Sequence, residues 1–272
     1  MLNAPQSRRS LAIAAFLSAA IFLQMGQPTL AGLVVLYDGS GLPANQPWLN
    51  FGQLSGVASQ TPVAEGVRLQ TDTAARAGFG NYLAPGIIKN AAFPTLNPSL
   101  GFELAFSVAV NAEAHTSNDR AGFSVTLLGS DLKGIELGFW TNEIWAQADS
   151  PIFTRAESVA IDTTQRRDYR LQVQGNNYSL FAGNNALMSG VVRDYSMHVN
   201  PAYSQPSFLF LGDNTQSGSA DITLGRITLQ SDLTAVPEPS SLALLCCAIF
   251  TAQWWLRKHA KCKASSLTSP VE

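Results

Sequence analysis

The sequence predicts an all-β protein: an antiparallel jelly-roll β-sandwich between an N-terminal export signal and one C-terminal transmembrane helix. Three observations predict it. Between Gly32 and Ser231, short alternating runs are cut by Gly, Asn and Pro about every ten residues, the rhythm of half-buried strands rather than of βαβ units. Charged residues make up only 13% of the 272-residue chain while it holds 21 Gly and 14 Pro, a balance that disfavours long solvated helices. The two apolar-rich runs of helical length lie at the chain ends, each beside cations.

At the start, Arg8 and Arg9 precede Leu11–Leu23, and Thr29-Leu30-Ala31 places small residues where a signal peptidase reads. Thirteen residues are too few to cross a hydrocarbon core of about 30 Å, so residues 1–31 are expected to be a signal peptide cut after Ala31. The adjacent arginines also echo a twin-arginine signal.

Ten strands are expected in the body: 33–37, 67–71, 101–110, 122–128, 134–140, 143–148, 168–174, 178–182, 207–211 and 220–229. Only 73–77 and 187–197 have room for a helical turn or two. If Thr141-Asn142 is a two-residue loop, Trp140 pairs with Glu143, Phe139 with Ile144, Gly138 with Trp145 and Leu137 with Ala146. Leu137, Phe139, Ile144 and Ala146 then share an apolar face, and Glu136, Trp140, Glu143, Trp145 and Gln147 share the other. A second hairpin is expected to turn at Asn176-Asn177, with Tyr169, Leu171 and Val173 on the face of Tyr178 and Leu180, and Arg170, Gln172 and Gln174 toward water.

After a short linker (232–239) containing Pro237-Glu238-Pro239, residues 240–256 form an apolar run broken by Thr251 and Gln253. As a helix its seventeen residues measure about 25 Å, the short end of a membrane span. Arg257, Lys258, Lys261 and Lys263 follow in a basic tail (257–272) expected to stay cytoplasmic, which leaves the body outside the inner membrane. Pro-Glu-Pro, an apolar span and a basic cluster together resemble the PEP-CTERM sorting signal of exported bacterial proteins. That resemblance implies an exosortase-type membrane enzyme as partner, cleavage near the motif, and display at the cell surface or in an exopolysaccharide matrix. Ala264–Glu272 extend past the point where such signals usually stop.

The three cysteines, Cys246, Cys247 and Cys262, all lie in this tail, so the body has no disulfide. Residues 32–235 carry 11 Lys plus Arg against 17 Asp plus Glu, a charge of about −6 with no basic cluster for a run of phosphates, which excludes nucleic acid as the expected partner. The body also lacks a Gly-x-Ser-x-Gly nucleophile turn, a His-Glu-x-x-His metal motif and a phosphate-binding glycine loop.

Three stretches, 121–131 with 134–140, 168–174, and 208–214, make the segment 101–229 similar to concanavalin A or laminin G type jelly rolls of bacterial surface proteins. Leu36-Tyr-Asp-Gly-Ser40 and Gln46-Pro-Trp48 extend the likeness toward the start of the body. The resemblance implies glycan binding, glycan hydrolysis or adhesion. Its glycosidases carry paired acids on one strand, and Glu136-Leu-Gly-Phe-Trp140 supplies one, so no enzyme is expected. The expected ligand surface is Trp140 and Trp145, whose indole faces suit a pyranose ring, with Glu136, Glu143 and Gln147 for its hydroxyls. Calcium is the one cofactor kept open, with Asp213, Asn214 and Asp221 as hard oxygen donors and Asn118 and Asp119 as a second loop. The function expected is a non-enzymatic, surface- or matrix-sorted module that binds glycan or adheres, with a glycan-cleaving enzyme and a purely structural matrix protein as alternatives.

Overall fold

The computed structural model describes residues 32–83 and 88–234. The expected signal peptide, the Pro237-Glu238-Pro239 motif, the apolar run 240–256 and the basic tail with Arg257 and Lys258 lie outside the described residues. Among the described residues no helix is long and apolar enough to cross a membrane.

In chain order the strands are β1 (Leu33–Tyr37), β2 (Asn50–Ser55), β3 (Ala58–Val63), β4 (Gly66–Thr71), β5 (Arg76–Gly80), β6 (Tyr82–Leu83), β7 (Ile88–Lys89), β8 (Phe102–His115) and β9 (Phe123–Leu128). They continue with β10 (Lys133–Trp140), β11 (Glu143–Asp149), β12 (Ile152–Ala160), β13 (Arg167–Gln174), β14 (Asn177–Ala182), β15 (Asn185–Val191), β16 (Arg193–Asp194), β17 (Leu209–Asp213) and β18 (Gly218–Gln230). Two antiparallel sheets pack as a sandwich. The first runs β15-β14-β13-β8-β18-β4-β3, with β1 also on β18, and the second runs β12-β11-β10-β9-β17-β5-β2, with β16 also on β10. Leu33 lies opposite Gln230, so the described body starts and ends on adjacent strands.

The core lies between the sheets because alternate residues of each strand are apolar. Leu104, Phe106 and Val108 of β8, with Ile222 and Leu224 of β18, meet Val125, Leu137, Phe139 and Leu211 of the second sheet, all buried. Phe139 ties the layers together, with Tyr169 edge-on at 5.5 Å and Phe106 at 6.1 Å. Each such side chain contributes about 1.5–3 kcal/mol on burial.

All ten expected strands are present, and the β10–β11 register is the expected one from Leu137↔Ala146 to Trp140↔Glu143. The β13–β14 turn lies one residue earlier than expected: Gln174 pairs with Asn177, so Gly175-Asn176 makes the loop, and Gly175 takes the positive φ of 57° that costs glycine least. Neither segment with room for a helical turn is helical. Arg76 begins β5, and 187–197 spans β15 and β16, because pairing to β17, β14 and β10 outweighs weak local propensity.

Candidate functional site

The outer face of the second sheet carries the site, and its first half is closed. Glu136, Trp140, Glu143, Trp145 and Gln147 share that face as expected, but Trp145 is 0% exposed, Glu136 and Gln147 1%, and Trp140 8%. The His115 ring stacks on Trp140 at 4.0 Å, and the Arg155 guanidinium lies 4.5 Å from the Trp140 ring and 5.4 Å from that of Trp145. Arg155 is also ion-paired with Glu143. The Trp140 Nε1–H donates to the Arg120 carbonyl at 3.1 Å and the Gln147 amide to the Asp119 carbonyl at 3.1 Å, so the 119–121 loop is laced onto the face. Trp145 lies across Gly138 on the neighbouring strand, where a Cβ would come 2.5 Å from its ring. The indoles are therefore packing groups, and the expected open stacking platform is corrected to a second, smaller core.

Glu136 anchors that packing. Its carboxylate accepts hydrogen bonds from the Tyr203 hydroxyl, from Asn214 Nδ2 at 3.0 Å and from Thr126 Oγ1 at 3.4 Å, while an Arg120 nitrogen lies 3.7 Å away. Asn214 Oδ1 accepts from Arg120 at 2.8 Å. Burial, reinforced by the Glu136 charge, pushes the Tyr203 and Tyr195 phenols well above the usual tyrosine range. Burial, then the Arg120 charge, lowers the His198 imidazole.

The residues expected to hold calcium are committed elsewhere. Asp213 accepts from Thr71 Oγ1 at 2.9 Å and from the Thr215 N–H at 3.0 Å, and Asp221 is ion-paired with Arg68 and bonded by Asn111 at 3.2 Å. Both Asn214 side-chain polar atoms are engaged as above, and Asp119 Oδ1 accepts the Arg155 N–H at 3.0 Å. Among the described residues no three His, Cys, Asp or Glu side chains converge on a common point, and the donors named for calcium face different neighbours.

The open half lies over β17, β5 and β2. Register places Gly138, Ser124, Gly212, Gly78 and Gly52 side by side across five strands, a row almost free of side chains. The next row holds Thr126, Phe210, Gly80 and Asn50. The missing Cβ atoms let the Phe210 ring lie down on the sheet: a Cβ on Gly78 would come 2.7 Å from its tip and one on Gly212 3.1 Å. Above this floor is a cleft of about 100 Å³, walled by Leu54, Arg76, Tyr82, Tyr203, Phe208, Asn200 and Asn214.

The wall at 200–209 is held in place by local hydrogen bonds. Asn200 caps a 3-10 turn (Pro201–Ser204) by accepting from the Ala202 N–H at 3.0 Å, which presents Tyr203. Buried Asn81 donates to the Ser207 carbonyl at 2.8 Å and accepts from the Leu209 N–H at 3.1 Å. Tyr82 stacks on Phe208 at 4.6 Å, and its buried hydroxyl has no hydrogen-bond partner among the described residues. Asp213 borders the cleft with its side chain buried, and burial raises its carboxyl to about 7 against the hydrogen bonds from Thr215 and Thr71.

Chemically the cleft offers ring faces, amides and one guanidinium. Sequence reasoning named Asn214 and Asp213 here, as calcium donors, and missed Phe210, Tyr82, Phe208, Tyr203, Asn50, Asn200 and Arg76. The available signal was the alternating glycine of Ala77-Gly-Phe-Gly80, which marks a strand face built for close approach.

The sequence matches no protein-family model and no curated protein. Among solved structures the chain is similar to Trypanosoma rangeli sialidase, at 14% identity and a TM-score of 0.45, over 76% of this chain and 32% of the sialidase. Alginate lyase A1-II′ is similar at 11% identity and a TM-score of 0.40, over 61% of this chain and 80% of the lyase. A structure of botulinum neurotoxin type C is similar at 9% identity and a TM-score of 0.46, over 75% of this chain and 50% of the toxin chain. The match spans about a third of the sialidase, and the likeness is one of β-sandwich architecture.

Proposed function

We propose that this chain is an exported, non-enzymatic saccharide-binding module of jelly-roll type, delivered through a PEP-CTERM-like tail to the cell surface or the extracellular matrix. The observation that carries the reading is the Phe210 ring lying on a glycine floor inside an open cleft edged by Asn50, Asn200 and Asn214. A flat ring face suits the C–H face of a pyranose, and the side-chain amides of Asn50 and Asn200 suit its hydroxyls. Delivery by signal peptidase and an exosortase-type enzyme, with the inner membrane as the tether before processing, rests on the sequence at the two chain ends.

Binding is favoured over cleavage by the placement of the acids. Glycoside hydrolysis needs two carboxyl groups flanking one bond, roughly 5–10 Å apart. Glu136 is covered by Tyr203 and Asn214, Glu143 is held by Arg155, and Asp213 is the one acid among the residues bordering the cleft. The test is a binding screen of the purified full chain against soluble and insoluble polysaccharides, with calcium and with chelator, alongside Phe210→Ala. Saturable, chelator-insensitive binding weakened about tenfold or more by the variant is expected, the cost of losing an aromatic stacking contact. Release of reducing ends would replace the reading with the enzymatic one, and self-association without saccharide binding with the structural one.

A further inference from the structure

We propose that the cleft selects an anionic saccharide, one bearing a carboxylate or sulfate group, and that Arg76 is the residue that reads the charge. The proposal rests on the saccharide reading above and narrows it to a ligand class.

Charge placement is the first argument. The body is acidic, 11 cations against 17 acids over residues 32–235, and its arginines are mostly spoken for. Arg68, Arg120, Arg155, Arg166, Arg170 and Arg193 each have a carboxylate partner. Arg76, on the cleft wall, has none within 4.0 Å among the described residues. Its Nε–H makes a long hydrogen bond to Ser55 Oγ at 3.4 Å, and its terminal nitrogens have no hydrogen-bond partner among the described residues. A planar guanidinium left in this state in an acidic domain is matched by an external carboxylate or sulfate, which it can grip with two parallel hydrogen bonds. Among the residues bordering the cleft the amides are neutral and the one acid is the buried Asp213, whose carboxyl burial raises to about 7.

Geometry supplies the second argument. Arg76, Gly78 and Gly80 follow one another on the same face over about 13 Å of strand, at roughly 3.3 Å per residue, and the Tyr82 ring leans back over Gly80, 3.5 Å from where its Cβ would stand. Phe210 lies opposite Gly80. A saccharide unit suits that path, with one ring over Phe210 and an acid group at Arg76. A nucleic acid does not, because a run of phosphates needs several cations where this cleft has one.

The test compares the full chain on two matched pairs, polygalacturonate against its carboxyl-reduced neutral form, and dextran sulfate against dextran, at low and high salt. At least one anionic polymer is expected to bind about tenfold more tightly than its neutral partner. Arg76→Gln is expected to erase that preference with the melting temperature unchanged, and Arg76→Lys to keep part of it. The pair that shows the preference identifies the group as carboxylate or sulfate. Equal binding within both pairs, or a preference that survives Arg76→Gln, overturns the inference and leaves saccharide binding standing. Absence of binding to all four polymers, with Phe210→Ala indistinguishable from wild type, overturns both.

Discussion

The outer faces of the two sheets are written in similar residues and meet opposite fates. On the first sheet Glu103, Arg170 and Gln172 form a partly exposed cluster, with Arg170 3.1 Å and Gln172 2.6 Å from the same Glu103 oxygen. On the second sheet Glu136 and Gln147 stand at equivalent outward positions, and both are buried together with Trp145. The difference comes from what crosses over each face. The loop at 119–121, Phe153 and the segment 195–208 fold onto the second sheet, and Tyr195, Tyr203, Phe208 and Leu128 make a satellite core there. Alternation along a strand fixes which residues share a face, and distant loops decide whether that face is surface or interior.

The largest expected effect tests whether the covered half of the second sheet is interior. Trp145→Ala removes a fully buried indole packed over Gly138 and beneath Arg155, and should cost about 3–5 kcal/mol in urea unfolding. Gln172→Ala, its polar counterpart on the open face of the first sheet, loses a hydrogen bond to Glu103 and should cost no more than about 1.5 kcal/mol. Equal small losses would mean that the loops over Trp145 are not packed against it, and the contrast between the faces would disappear.

The same contrast explains what was legible in the sequence. The β10–β11 register was readable because a two-residue loop leaves one pairing that puts Leu137, Phe139, Ile144 and Ala146 on one side. The longer strands missed include the four that end the sheets, β2, β3, β12 and β15. Edge strands carry polar, weakly alternating sequence, such as Ala58-Ser-Gln-Thr-Pro-Val63, because an apolar edge invites pairing with other chains, and that same polarity makes them read as loops. The cleft was illegible for a different reason. Gly52, Gly78, Gly212 and Gly138 are far apart in the chain and become a row only once four separate strand registers are known.

Asp213 tests the seam where the sheets meet, since its carboxyl on β17 bonds Thr71 on β4 of the opposite sheet. Burial raises its folded-state value from 3.8 to about 7, so the native protein holds a proton that the unfolded chain gives up. Between those values the folded state binds more protons, and stability therefore falls as pH rises from about 4 to about 7 and levels off above. A shift of this size corresponds to about 4 kcal/mol. Asp213→Asn keeps the shape of the neutral acid, and its amide oxygen can still accept from the Thr215 N–H. It should remove Asp213's share of the slope and leave the variant more stable than wild type at about pH 8, read from urea midpoints across the range. Identical pH profiles would mean that the acid ionises freely and that the seam is wet.

The smallest expected effect sharpens the account of the exposed face. Arg170 lies there between the Glu103 carboxylate at 3.1 Å and the Phe181 ring, whose centroid lies 4.8 Å from its guanidinium carbon, and it also donates to the Gly183 carbonyl at 3.4 Å. With side chains 35% and 15% exposed, the ion pair is open to solvent screening, and Arg170→Ala should cost no more than about 1 kcal/mol. Salt separates the ion pair from the ring contact. An ion pair weakens as the Debye length shrinks to about 3 Å near 1 M salt, whereas the stem of the arginine against Phe181 keeps its packing. If the ion pair supplies most of the effect, the difference between wild type and variant should shrink markedly at high salt. If it persists, the residue holds this face by packing on Phe181, and the first sheet's outer surface then shares, on a smaller scale, the aromatic cover that buries the second.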